Sequence, residues 1–115
     1  MKIVKKIIDN AIIVLEITGE VKLGESAERL SEELSKLLAD AQVDGVILDL
    51  ESINYMDSTG LGELVGHLGR FQDSGKRLKH VNPNETIAKL MKLTKLDQVF
   101  KIYASEESAL EDMLK

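Results

Sequence analysis

Two hydroxyls, a carboxylate and two glycines stand together in the run Asp57-Ser58-Thr59-Gly60-Leu61-Gly62. Ahead of them lies the apolar run Val46-Ile47-Leu48, and behind them Leu61, Leu64, Val65, Leu68 and Phe71 recur at helical spacing. The polar step therefore falls at a helix N-terminus, where unpaired N–H groups and the positive end of the helix dipole favour negative charge. A hydroxyl in that place is either a cap or a point where phosphate is added and removed. A cap explains one of the three polar residues and none of the glycines. Gly62, Gly66 and Gly69 each cost ~0.8–1 kcal/mol relative to Ala inside a helix. At about 100° per residue they share one side, next to the apolar stripe and away from Glu63, His67 and Arg70. A smooth strip of that kind lets another backbone come close, from a neighbouring element or from a partner.

Other chemistries fit less well. A nucleophilic Ser58 needs an adjacent base, yet His67 reads as the polar side of the helix and His80 as part of a strand. The G-x-S-x-G elbow is missing, because Met56 precedes Asp57. Gly60-Leu61-Gly62 opens a dinucleotide fingerprint, but Val65 stands where its third glycine belongs. Asp49 ends a central strand, as a phospho-accepting aspartate would. Such an acceptor needs Mg²⁺ held by further carboxylates, and the first hairpin offers only Asp9 in its turn and Glu16. No metal site, catalytic residue or cofactor is read from the chain.

Composition bounds the remaining choices. A chain of 115 residues with 43% hydrophobic and 30% charged residues suits one globular domain, expected to span residues 1–115. A net charge of −5 argues against nucleic acid as a direct partner. No apolar run approaches the ~20 residues that cross a bilayer, so no membrane role is expected. The N-terminus meets charge too early for a signal peptide. Cysteine is absent, and a reducing cytoplasm is the natural location.

The elements that must position Ser58 follow from periodicity. Ile3–Ile8 and Ala11–Ile17 read as an antiparallel hairpin turning at Asp9-Asn10, ended by Gly19, with Glu20–Gly24 as a loop. Ala27, Leu30, Leu34, Leu37, Leu38 and Ala41 mark a helix, and Gly45–Leu50 a strand buried on both faces. The Ser58 helix stops at Ser74-Gly75. Arg77–Val81 is a strand, and Asn82-Pro83-Asn84-Glu85 starts a helix with Asn82 as cap and Pro83 in the first turn. Val99–Tyr103 is a last strand, and Ser105 caps a terminal helix. The predicted fold is α/β: a single layer of mixed, mostly parallel sheet begun by a β-hairpin, with about four helices.

Val46-Ile47-Leu48-Asp49-Leu50, a short spacer and Met56-Asp57-Ser58-Thr59-Gly60-Leu61-Gly62 resemble the signature of bacterial anti-sigma factor antagonists of the STAS family. Gly19-Glu20-Val21 and Leu96-Asp97-Gln98-Val99-Phe100 extend the resemblance along the chain. It implies a non-enzymatic partner switch in the cytoplasm. Ser58 matches the serine phosphorylated by an anti-sigma factor with serine-kinase activity, which supplies its own bound ATP. The unphosphorylated form binds that kinase and frees a sigma factor, and a serine phosphatase resets the cycle. Thr59 takes the second hydroxyl position. Lys22 stands where many members carry an acidic residue, a difference that bears on kinase choice.

The docking ground expected around Ser58 is Met56, Asp57, Thr59, Gly60, Leu61 and Gly62, with Glu20 and Lys22 alongside; Met56 reads equally well as a core residue. A phosphate there is tolerated by the fold and acts by local repulsion and obstruction. The alternative is a STAS interaction subunit of a stress-sensing or lipid-transport assembly, in which Ser58 is never modified.

Overall fold

A computed structural model describes every residue from Met1 to Lys115. Strand β1 (Lys2–Asp9) pairs antiparallel with β2 (Ile12–Val21), which leads into helix α1 (Glu25–Ala39). Then come β3 (Gly45–Asp49), β4 (Ile53–Met56), α2 (Ser58–Asp73), β5 (Arg77–Val81), α3 (Glu85–Leu93), a 3₁₀ turn (Leu96–Gln98), β6 (Ile102–Tyr103) and α4 (Glu106–Met113). The sheet runs β1-β2-β3-β5-β6, and every pairing after the hairpin is parallel. The predicted α/β architecture, with its opening hairpin and four helices, is the one found.

Period-two alternation sends β2 and β3 side chains to two cores. Ile13, Leu15, Ile17, Val46 and Leu48 join the larger cluster, with Leu30, Leu34 and Leu37 of α1, Leu61, Leu64 and Phe71 of α2, and Ile87 and Met91 of α3. Ile12, Val14 and Ile47 join the smaller one, with Val81, Tyr103, and Ala109 and Met113 of α4. Three helices thus share one face and α4 covers the other.

Several local expectations are corrected. Gly19 does not end β2; with φ of +103° it lets the strand bend and continue to Val21. There β2 gains a partner that periodicity did not separate from β3: the four-residue strand β4, parallel to Gly19–Val21. The loop shrinks to Lys22–Gly24. Helix α3 is capped by Asn84 rather than Asn82. Asn84 Nδ2 also donates to the carbonyls of Glu51 (2.8 Å) and Ile53 (2.6 Å), so the side chain that caps the helix ties it to the β3–β4 turn. Asn82 instead continues the β5 edge, its N–H donating to the Tyr103 carbonyl at 3.0 Å. Only Ile102 and Tyr103 of the expected last strand pair with β5, because Phe100 turns inward and packs on His80 with ring centroids 4.4 Å apart.

Candidate functional site

The upper end of β2 carries the site. The Gly19 N–H donates to the Ser52 carbonyl at 3.0 Å, and the Asp57 N–H to the Val21 carbonyl at 3.3 Å. Between these bonds β4 is threaded alongside β2 and delivers the chain to Ser58. Helix α2 then starts against the same strand end. A Cβ on Gly60 would lie 2.5 Å from the Val21 carbonyl oxygen and 2.8 Å from Met56 Cγ. Only glycine permits that approach, so Gly60 seats the first turn of α2 on β2.

Asp57 is the helix cap. Its Oδ1 accepts the Gly60 N–H at 2.9 Å and its Oδ2 accepts the Leu23 N–H at 2.9 Å. These backbone donors, Leu23 foremost and then Gly60, hold its carboxyl below the ordinary value near 3.8. Asp57 thus takes the capping role and leaves the next residue free. Ser58 is exposed, and its hydroxyl makes no hydrogen bond within the chain. Thr59 is half-buried. Gly62 is exposed, as are Glu20 and Lys22, whose charged groups lie 3.7 Å apart.

Three residues expected on the exposed ground lie beneath it. Met56 and Leu61 are 5% and 7% exposed and belong to the larger core, and Gly60 is buried under Val21. They shape the site from below instead of presenting side chains to a partner. The glycine strip also differs from the close-packing reading. Nothing lies within 4 Å of where a Cβ would stand on Gly62, Gly66 or Gly69, so no element of the chain uses their smoothness.

His67 is corrected most sharply. It is 1% exposed, not on the polar side, and its Nε2 lies 3.1 Å from Ser31 Oγ and 3.4 Å from Glu63 Oε2. Leu61, Leu64, His67 and Phe71 are the buried side chains of α2, and position 67 sits three residues past Leu64 and four before Phe71. That spacing was the available signal; the polarity of histidine hid it. The set contains hydroxyl, imidazole and carboxylate, but both partners address the same nitrogen while Nδ1 is buried and unpaired. A proton relay needs opposite ring nitrogens, so this is a packing contact between α1 and α2.

At the other face Glu16, Asp49 and Glu106 bring carboxylate oxygens within 4.8 Å of one another. Glu16 lies directly across from Asp49 in the parallel register, and Glu106 comes from the start of α4. The hairpin and α4 therefore do supply carboxylates near Asp49. Lys6 Nζ sits 3.5 Å from Glu16 and 3.0 Å from Glu106, so an ammonium of the chain already answers this charge.

Residues 2–109 match the STAS domain family. An anti-sigma-B factor antagonist of Staphylococcus aureus is 32% identical over 92 residues, spanning 76% of this chain and 85% of that protein. The crystal structure of a Thermotoga maritima protein described as a putative anti-sigma factor antagonist superposes with a TM-score of 0.88 at 27% identity, covering 98% and 95% of the two chains. The anti-sigma factor antagonist SpoIIAA shares the fold at 21% identity. Its unphosphorylated form has a TM-score of 0.80 with 97% and 96% coverage, and the phosphorylated Bacillus form 0.74 with 97% and 99%.

Proposed function

This chain belongs to the STAS domain family, and we propose that it is a non-enzymatic anti-sigma factor antagonist switched by phosphorylation at Ser58. One observation carries the reading: the Ser58 hydroxyl stands free and exposed at the N-terminus of α2, relieved of capping duty by Asp57. Names of relatives support the role, since curated proteins matching most of this chain are anti-sigma factor antagonists. SpoIIAA, which shares the fold, has been solved in phosphorylated and unphosphorylated forms.

The proposed cycle follows from charge. Unphosphorylated, the chain docks on an anti-sigma factor with serine-kinase activity and so releases a sigma factor. The partner's bound ATP supplies the phosphoryl group, and a serine phosphatase removes it. Phosphorylation adds about −1.5 to −2 charge, which a helix N-terminus accommodates. Pressed into a docked interface, the same group is an unpaired charge costing ~2–5 kcal/mol, or roughly thirty- to several-thousand-fold in affinity. Ser58, Thr59, Gly62, Glu20 and Lys22 form the proposed contact surface, positioned by Asp57, whose two carboxylate oxygens are both engaged within the chain, and supported from below by Met56, Gly60 and Leu61.

The test is intact-mass and site mapping after incubation with ATP and the anti-sigma factor recovered with the chain from its own cell. Phosphate on Ser58 is expected. No phosphate on Ser58 would favour an unmodified STAS subunit of another assembly, and acid-labile phosphate on Asp49 would favour an aspartyl acceptor.

A further inference from the structure

The Lys22–Gly24 turn holds out Leu23, which is 76% exposed. It is not a loose tip. The Leu23 N–H is fixed by Asp57 Oδ2 at 2.9 Å. Ser26 Oγ accepts from the Lys22 N–H at 2.9 Å and donates to the Lys22 carbonyl at 3.1 Å. Gly24, with φ of +108°, closes the turn and starts α1. A leucine fixed in water gains the free chain nothing, whereas pre-organised apolar side chains are what interfaces use as anchors.

Asp57 divides its two oxygens between the helix end that carries Ser58 and the turn that carries Leu23. One carboxylate therefore sets the spacing between the hydroxyl and the exposed apolar group. We infer that Leu23 is the apolar anchor that the Ser58-reading partner grips, and that Asp57 is the positioning residue holding this anchor in place. This rests on the reading of Ser58 given above. The occupant is the kinase domain of the anti-sigma factor: to bring phosphate to Ser58 it must cover the helix end to which Leu23 is tied, and it offers Leu23 an apolar socket.

Substitutions can separate the cap from the clamp. Asp57→Ser keeps one oxygen for the Gly60 N–H, since serine is a good N-cap, and loses the reach to Leu23. Binding is measured by calorimetry against the anti-sigma factor co-purified with the native chain, loaded with ADP so that no phosphoryl transfer occurs. Leu23→Ala and Asp57→Ser are each expected to weaken binding about tenfold or more. The double variant should bind no worse than the weaker single one, because the clamp acts only through Leu23. Amide exchange at Leu23 should quicken in Asp57→Ser.

Parent-like binding by Leu23→Ala, or losses that simply add in the double variant, would overturn the inference while leaving the Ser58 switch standing, provided that Ser58→Glu still loses affinity. If the parent chain does not bind the ADP-loaded protein, both readings fall together.

Discussion

Ser58 and its neighbours divide the labour of one helix turn. Asp57 caps, Gly60 permits contact with β2, and Ser58 is left unencumbered. Replacing Ser58 with Ala should therefore abolish phosphorylation and keep partner binding, whereas Ser58→Asp should weaken binding at least tenfold; titration of both variants against the anti-sigma factor checks this. The glycines make opposite predictions. Gly60→Ala forces a Cβ to within 2.5 Å of a backbone carbonyl oxygen, and should cost ~1–3 kcal/mol in chemical denaturation. Gly66→Ala meets nothing within 4 Å and should stabilise α2 by up to ~1 kcal/mol. If both changes moved stability the same way, the seating of α2 on β2 would be misassigned.

Among the elements, α1 and α2 were legible in the sequence from apolar residues at helical spacing, and the central strand β3 from its continuous apolar run. Ala27, Leu30, Leu34 and Leu37 are the buried face of α1 at the spacing that predicted it. What periodicity could not show was where β2 stops and that β4 exists. Four residues hold too little alternation to register as a strand, and Gly19 reads as a terminator unless its partner across the sheet is known. The same limit hid the clamp: the Asp57–Leu23 bond joins residues 34 apart in sequence, and a cap motif names only the local donor, the Gly60 N–H. Asn84 is the counterpart on α3, joining cap and tether in one side chain. Asn84→Ala removes the cap and both tethers, so a loss of ~2–3 kcal/mol is expected, with amide protection falling first in α3. Uniform loss across the sheet would contradict the tethering role.

For the molecule as a whole, two buried imidazoles set the acid limit. Burial pushes His80 down to about 3, and burial, followed by the charge of Arg70, lowers His67. His80 stays neutral in the folded chain down to about pH 3 and His67 takes up its proton less readily than a free imidazole, while the unfolded chain binds both protons near pH 6.5. Stability therefore falls as pH drops below about 6.5, by up to ~1.4 kcal/mol per unit for His80, until its folded value near 3 is reached. Asp57 and Asp112, held below their ordinary value, add their loss only below about pH 4. His80→Leu should flatten the slope of denaturation midpoints between pH 6.5 and 4.5; an unchanged slope would place the acid sensitivity elsewhere. None of this alters the surface at physiological pH, where the phosphoryl group alone is proposed to change the chain's charge. The most direct test is to prepare the chain with phosphoserine at position 58 and measure its affinity for the ADP-loaded anti-sigma factor beside that of the unmodified chain. A loss of thirty-fold or more with an unchanged fold is the expected result, and equal affinity for the two forms would contradict the switch.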